Sequence, residues 1–150
     1  MRTFETIAEL EPLVGRDIAT SEWITVTQER IQLFADATGD HQWIHLDAER
    51  AKAGPFKTTI AHGFLTLSLL PEMSASAFEV RGTRMGVNYG LNKVRFPAPV
   101  PSGSRLRGHF KLLAYDPLEG GAQITIQVTM EREGSDKPVC IAESLSRRYA

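Results

Sequence analysis

The sequence predicts an α+β domain in which one apolar helix buries itself on one antiparallel sheet. Three observations carry this. An apolar stretch within TTIAHGFLTLSLL runs from Ile60 to Leu70 with almost no polar side, which reads as a buried helix, with a buried strand as the alternative. From Met85 onward the hydrophobic period becomes two, the mark of a half-solvated sheet. Between those strands no helical segment is long enough for a parallel crossover, so neighbours must run antiparallel.

Composition fits one soluble domain over residues 1–150. Hydrophobic residues make up 42% and charged residues 23%, a globular balance rather than a disordered one. Seventeen basic and 18 acidic side chains leave a net charge of −1, so no positive field invites nucleic acid or an anionic membrane. No stretch approaches the ~20 apolar residues of a membrane span. MRTFETIAEL lacks the apolar run of a secretory signal. Cys140 is the one cysteine, which excludes an intrachain disulfide and fits a reducing cytoplasm.

Along the chain, TIAELEPLV (6–14) places Ile7, Leu10 and Val14 at helical spacing, limited by Pro12 and ended by Gly15. The β-branched and aromatic run 22–26 predicts a short strand. Thr27 then caps a helix with Ile31, Phe34, Ala35 and Thr38 on one face, and Gly39 takes the left-handed position at its end. Asp47 caps a second short helix, AERAKA, stopped by Gly54-Pro55. After the apolar helix, which Pro71 ends or kinks, come four long strands. They are 85–96, 105–112, 123–131 and 138–148, separated by the turn sequences PAPVPSGS, DPLEGG and EGSDKP. Leu106, Gly108, Phe110 and Leu112 face one side of the second strand, and Ile124, Ile126, Val128 and Met130 one side of the third. His109 falls on the polar phase and is expected at the surface.

The chemistry concentrates in ATGDHQWIH, residues 37–45. Nucleophile-elbow, phosphate-loop, dinucleotide and H-E-x-x-H motifs are absent. Three readings of the stretch compete. A metal site would use His41 and His45 with Asp40 or Asp47, but Gly39 ends the helix that would align the two imidazoles. A plain turn would leave Asp40 as a turn former and His45 as a satisfied core histidine. An acid–base pair would place Asp40 and His45 on one water, with the histidine titrating near neutrality. Trp43 reads as a packing plug beside Ile44. Farther on, Gly63 follows His62 at the start of the apolar helix. Its unpaired N–H is either a donor for an anionic oxygen or merely part of a tight helix packing.

ATGDHQWIH, LDAERA, GPF and TIAHGFLTLSLL together resemble the MaoC-like hot-dog hydratases, the (R)-specific enoyl-CoA hydratases. The Gln42-Trp43 pair, where most members carry Asn-Pro, looks like the NodN-like branch. The resemblance spans essentially residues 1–150 and implies a hot-dog fold, a long central helix wrapped by an antiparallel sheet. It implies that Asp40 and His45 are the catalytic pair and that the Gly63 N–H holds the thioester oxygen. It further implies hydration of a trans-2-enoyl-CoA to an (R)-3-hydroxyacyl-CoA, with no metal or organic cofactor. The competing functions are a hot-dog acyl-CoA thioesterase and a non-catalytic acyl-binding or signalling module.

Two expectations about partners follow. A homodimer is expected to join sheets edge to edge, with PAPVP (97–101) guarding the end of a strand. The phosphates of CoA are expected on Lys93, Arg95 and Arg84 near the mouth of the pocket.

Overall fold

The computed structural model describes residues 1–150. Its main sheet has six strands: β2 (Asp17–Thr20), β3 (Ile24–Thr25), β5 (Met85–Arg95), β6 (Arg105–Leu118), β7 (Gly121–Arg132) and β8 (Cys140–Tyr149). The order is β2-β6-β7-β8-β5, every pairing is antiparallel, and β3 extends β2's edge along β6. The expected alternation places Leu106, Gly108, Phe110 and Leu112 inside, opposite the inward Ile124, Ile126, Val128 and Met130. A bulge between Leu112 and Ala114 bends β6.

Gly63–Ser68 (α4) and Leu70–Ala77 (α5) form the rod that packs on this sheet. Leu65, Leu69, Met73 and Ala77 recur every fourth residue and are all buried, so one stripe faces the core. Pro71 sits in the first turn of α5, where its missing N–H costs nothing, so it does not end that helix; the break in the rod falls at Leu69. The helix begins at Gly63 rather than Ile60, because Ile60 bridges Pro101 in extended form. The expectation of burial on every side fails at Phe64, which is 70% exposed.

Around the site, α1 (Gln28–Thr38), α2 (Trp43–Leu46) and α3 (Ala48–Lys52) follow one another closely. Thr27 accepts the Arg30 N–H at 3.1 Å and Asp47 accepts the Arg50 N–H at 3.0 Å, as caps should. Gly39 closes α1 at φ +82°.

Several elements depart from expectation. Residues Ile7–Leu13 form a 3-10 helix, which tolerates the internal Pro12 in a short tight turn. The strand foreseen over 22–26 shrinks to Ile24–Thr25. Strands β1 (Arg2–Phe4) and β4 (Phe78–Val80) pair in parallel, tying the N-terminal segment to the end of α5. Segment 97–101, which follows the end of β5, is tied to the stretch before α4: Val100 accepts the Ala61 N–H, and Thr59 accepts the Ser102 N–H. That double tie holds the stretch before α4 against the β5–β6 connection. No helix is long and apolar enough to cross a membrane.

Candidate active site

Asp40 lies just past the left-handed turn at Gly39, and His45 lies on the one-turn helix α2. Gln28 anchors α2 from outside by donating its amide to the His45 carbonyl at 2.8 Å, and Thr59 in turn donates to Gln28 Oε1 at 2.7 Å. Trp43 is half-buried, with its ring close to Gly54 and the Arg50 guanidinium 4.3 Å above it. It plugs the space between α2 and the far end of α3, in keeping with a packing role.

His45 is 6% exposed. Its Nδ1 stands 2.7 Å from the Ile60 carbonyl, which can only accept, so Nδ1 carries the proton. In the neutral ring Nε2 is therefore bare and able to take a proton. Burial holds the pKa of His45 below the ordinary histidine value; the Ile60 bond opposes this, His62 reinforces it and Asp40 opposes it. A neutral imidazole with a fixed tautomer is what a general base needs.

The third member of the cluster is His62. It is 2% exposed and stacks on His45, ring centroids 3.8 Å apart and planes 27° apart. Phe34 also packs on His62, tilted by 52° with ring centroids 4.8 Å apart. His62 Nε2–H donates to the Asp40 backbone carbonyl at 3.0 Å, whereas its Nδ1 is buried without a partner. Polar side-chain atoms of Asp40, His45 and His62 all lie within 4.8 Å of one another. Sequence reasoning treated His62 only as the neighbour of Gly63; twenty-odd intervening residues hid its contact with the loop.

The donor set invites the metal question. His41, which the metal reading needed, points away and bonds Asp36 at 3.1 Å on the surface. His62 takes its place in space, but stacked, nearly parallel imidazoles hold their nitrogen lone pairs in neighbouring planes. A metal wants those lone pairs to converge on one point about 2 Å from each nitrogen. The geometry suits proton transfer better than ligation.

Gly63 opens α4, so its N–H has no acceptor within the helix, and the first helical bond is Thr66 N–H to the His62 carbonyl. The free amide thus starts one residue from the ring stacked on His45. Gly63 also lines a 280 Å³ pocket with Phe56, Ile60, Thr66, Phe96 and Val139. A methyl group on Gly63 would meet the Phe96 ring at 3.1 Å, so both readings of this glycine, close packing and an open donor, have a physical basis.

Among the three basic candidates, Lys93 and Arg95 sit at the end of β5 that leads to Phe96 and this pocket. Arg84 precedes the other end of β5, an 11-residue strand roughly 35 Å long. One chain does not bring all three together. His109 is half-exposed and bonds Glu131 at 2.6 Å, in keeping with its polar phase.

Comparison with known proteins identifies the family and the fold. Residues 9–137 match the family described as MaoC like domain. The chain is 56% identical over 151 residues to 3-hydroxyacyl-thioester dehydratase Z of Mycobacterium tuberculosis, covering all of both chains. It is 48% identical over 141 residues to nodulation protein N of Rhizobium leguminosarum bv. viciae, covering 91% of this chain and 87% of that one. An unliganded R-hydratase structure from Pseudomonas aeruginosa superimposes with a TM-score of 0.73 at 27% identity, covering 96% and 85%. The sheet wrapped on α4–α5 is accordingly a hot-dog fold, and the chain belongs to the MaoC-like family.

Proposed function

We propose that this protein is an (R)-specific enoyl-CoA hydratase, a hydro-lyase that adds water across a trans-2-enoyl thioester. The observation that carries this is the bare Nε2 of a buried, tautomer-locked His45 beside Asp40. Hydration requires one proton to pass from water oxygen to C2 while the hydroxyl joins C3. His45 Nε2 accepts that proton, and the Asp40 carboxylate holds the same water and offsets charge on the imidazolium. The proton leaves the pair at C2 on the same face, so addition is syn.

Enolate charge gathers on the thioester oxygen as C3 is attacked. In this reading the Gly63 N–H at the start of α4 receives it, a contribution of ~3 kcal/mol by the scale of other oxyanion donors. The apolar pocket beside Gly63 suits the thioester arm. Lys93 and Arg95 serve the CoA phosphates, and the reaction calls for no metal or organic cofactor. The names of the dehydratase and R-hydratase relatives support the reaction and its stereochemistry.

The working unit in this reading is a cytoplasmic homodimer. β5 pairs on one side only, and Met85, Val87, Tyr89 and Leu91 leave its surface apolar and exposed. An 11-residue edge without proline is an open template for a second copy.

The test is loss of enoyl absorbance with crotonyl-CoA. Wild type should turn over, and Asp40→Asn should lower kcat by ~10²-fold with little change in KM. Thiol release without loss of enoyl absorbance would instead identify a thioesterase. Tight acyl-CoA binding without turnover would identify a binding module.

A further inference from the structure

The largest cavity in the chain, 540 Å³, contains none of Asp40, His45, His62 or Gly63. It lies between α5 with β4 and the inner face of the sheet. One wall is apolar, formed by Phe78, Val80, Phe110, Ile126 and Val128. The other carries Arg148 with Ser144 and Ser146 from β8, and Thr83 and Asn88 from the neighbouring segment.

Arg148 has no counter-ion. Burial is the only influence on its pKa, which it lowers, and no acidic group opposes that effect. Glu79, the one acid on the rim, is turned to Arg81. Four buried side-chain polar atoms in the chain lack a hydrogen-bond partner, and two of them, Arg148 Nε and Thr83 Oγ1, belong to this cavity. A single cation–π contact with Phe78 at 5.3 Å offsets only part of the desolvation of a guanidinium. Donors left unpaired beside a preformed, largely apolar cavity are the pattern of a ligand site.

We propose that this cavity binds an apolar monocarboxylate, its hydrocarbon body against the Phe78–Phe110 wall and its carboxylate on Arg148 and Thr83. The planar guanidinium fork matches the two oxygens of a carboxylate. Arg148 is the one basic side chain of the lining, and a lone guanidinium favours one negative charge over a phosphate dianion. The carboxylate belongs either to a free fatty acid or to the far end of a dicarboxylic acyl thioester. The inference stands on the cavity alone and does not rest on the reaction assigned to Asp40 and His45.

Calorimetry with decanoate and decanol reads it without turnover. Decanoate should bind wild type about tenfold or more tightly than decanol, the scale of a charge-assisted bond. Arg148→Met should bring the two ligands to within about threefold, and its own stability should match or exceed wild type, since a half-buried guanidinium with no counter-ion and a buried, unpartnered Nε has been removed. Thr83→Val, which leaves the guanidinium in place, should weaken decanoate several-fold and leave decanol unchanged. Inhibition of crotonyl-CoA hydration by decanoate then tells the sources apart: a competitive pattern marks the end of the acyl path, a non-competitive one a separate fatty-acid site. Equal binding of decanoate and decanol to wild type, or undiminished decanoate binding to both variants, would overturn the proposal.

Discussion

His45→Gln separates the chemical role of the ring from its structural one. Glutamine retains an N–H donor for the Ile60 carbonyl, now met at 2.7 Å by Nδ1, so the loss of stability should stay near ~1 kcal/mol. The missing acceptor should lower turnover by ~10² to 10⁴, equivalent to about 3–5 kcal/mol of transition-state stabilisation. A domain with about 5–15 kcal/mol of stability tolerates the first loss and stays folded, so the rate deficit cannot be mistaken for unfolding. The pH dependence sharpens the test. Because burial lowers the pKa of His45 from its usual 6.5, wild type should keep kcat/KM below that pH before the acid limb falls. Between the lowered folded value and 6.5 the unfolded chain holds more protons than the folded one. Stability therefore declines as pH drops through that window and is fully present above it. Asp40 raises the pKa of His45, so Asp40→Asn should move the residual acid limb to still lower pH. The assay is crotonyl-CoA hydration from about pH 4.5 to 8, paired with thermal unfolding in the same buffers. A wild-type limb above 6.5, an upward shift in Asp40→Asn, or turnover within threefold of wild type in His45→Gln would refute the reasoning.

His62→Leu should lower kcat about tenfold or more, because the Asp40 carbonyl loses its anchor and small misplacements are costly. It should also move the acid limb upward, since His62 lowers the pKa of His45; a profile superimposable on wild type would remove His62 from the site. His41→Gln should leave turnover unchanged and stability within about 0.5 kcal/mol, as expected for an exposed residue; a collapse reversed by zinc would restore the metal reading. Gly39→Ala should cost roughly 1–2 kcal/mol in chemical denaturation, because φ is +82° with open space around the new methyl group, leaving backbone strain as the only penalty. Tyr89→Lys on the exposed face of β5 should shift the dimer toward monomer in light scattering; a stable, fully active wild-type monomer at working dilution would contradict the dimer itself.

Elements written in local chemistry were legible in the sequence. The caps Thr27 and Asp47, the left-handed Gly39 and the period-two strands each depend on neighbours within a few residues, and all were found where expected. The parallel pair β1–β4 was not legible, because three-residue strands show no alternation and their partners are remote in sequence. The same rule divides the site. Asp40, His45 and Gly63 were marked by spacing and by resemblance. The His62 stack and the Ile60 carbonyl that fixes the His45 tautomer arise only when distant segments meet. Strand β8 did carry one signal in advance. Cys140, Ala142, Ser144 and Ser146 give its inner phase small side chains, and Arg148 breaks that phase with a charge.

The placement of β5 at the sheet edge also shapes how the chain folds. The hairpins β6–β7 and β7–β8 close over short turns, whereas Arg95 must find Ile141 and Met85 must find Tyr149 across both intervening strands. Loop-closure entropy delays that pairing, so it should form late, with mutations in β5 speeding unfolding more than they slow refolding. Until β5 docks, β8 is itself an open edge. The interval before docking is when stray intermolecular pairing competes with the native register, and expression at low temperature or low concentration should favour the native outcome.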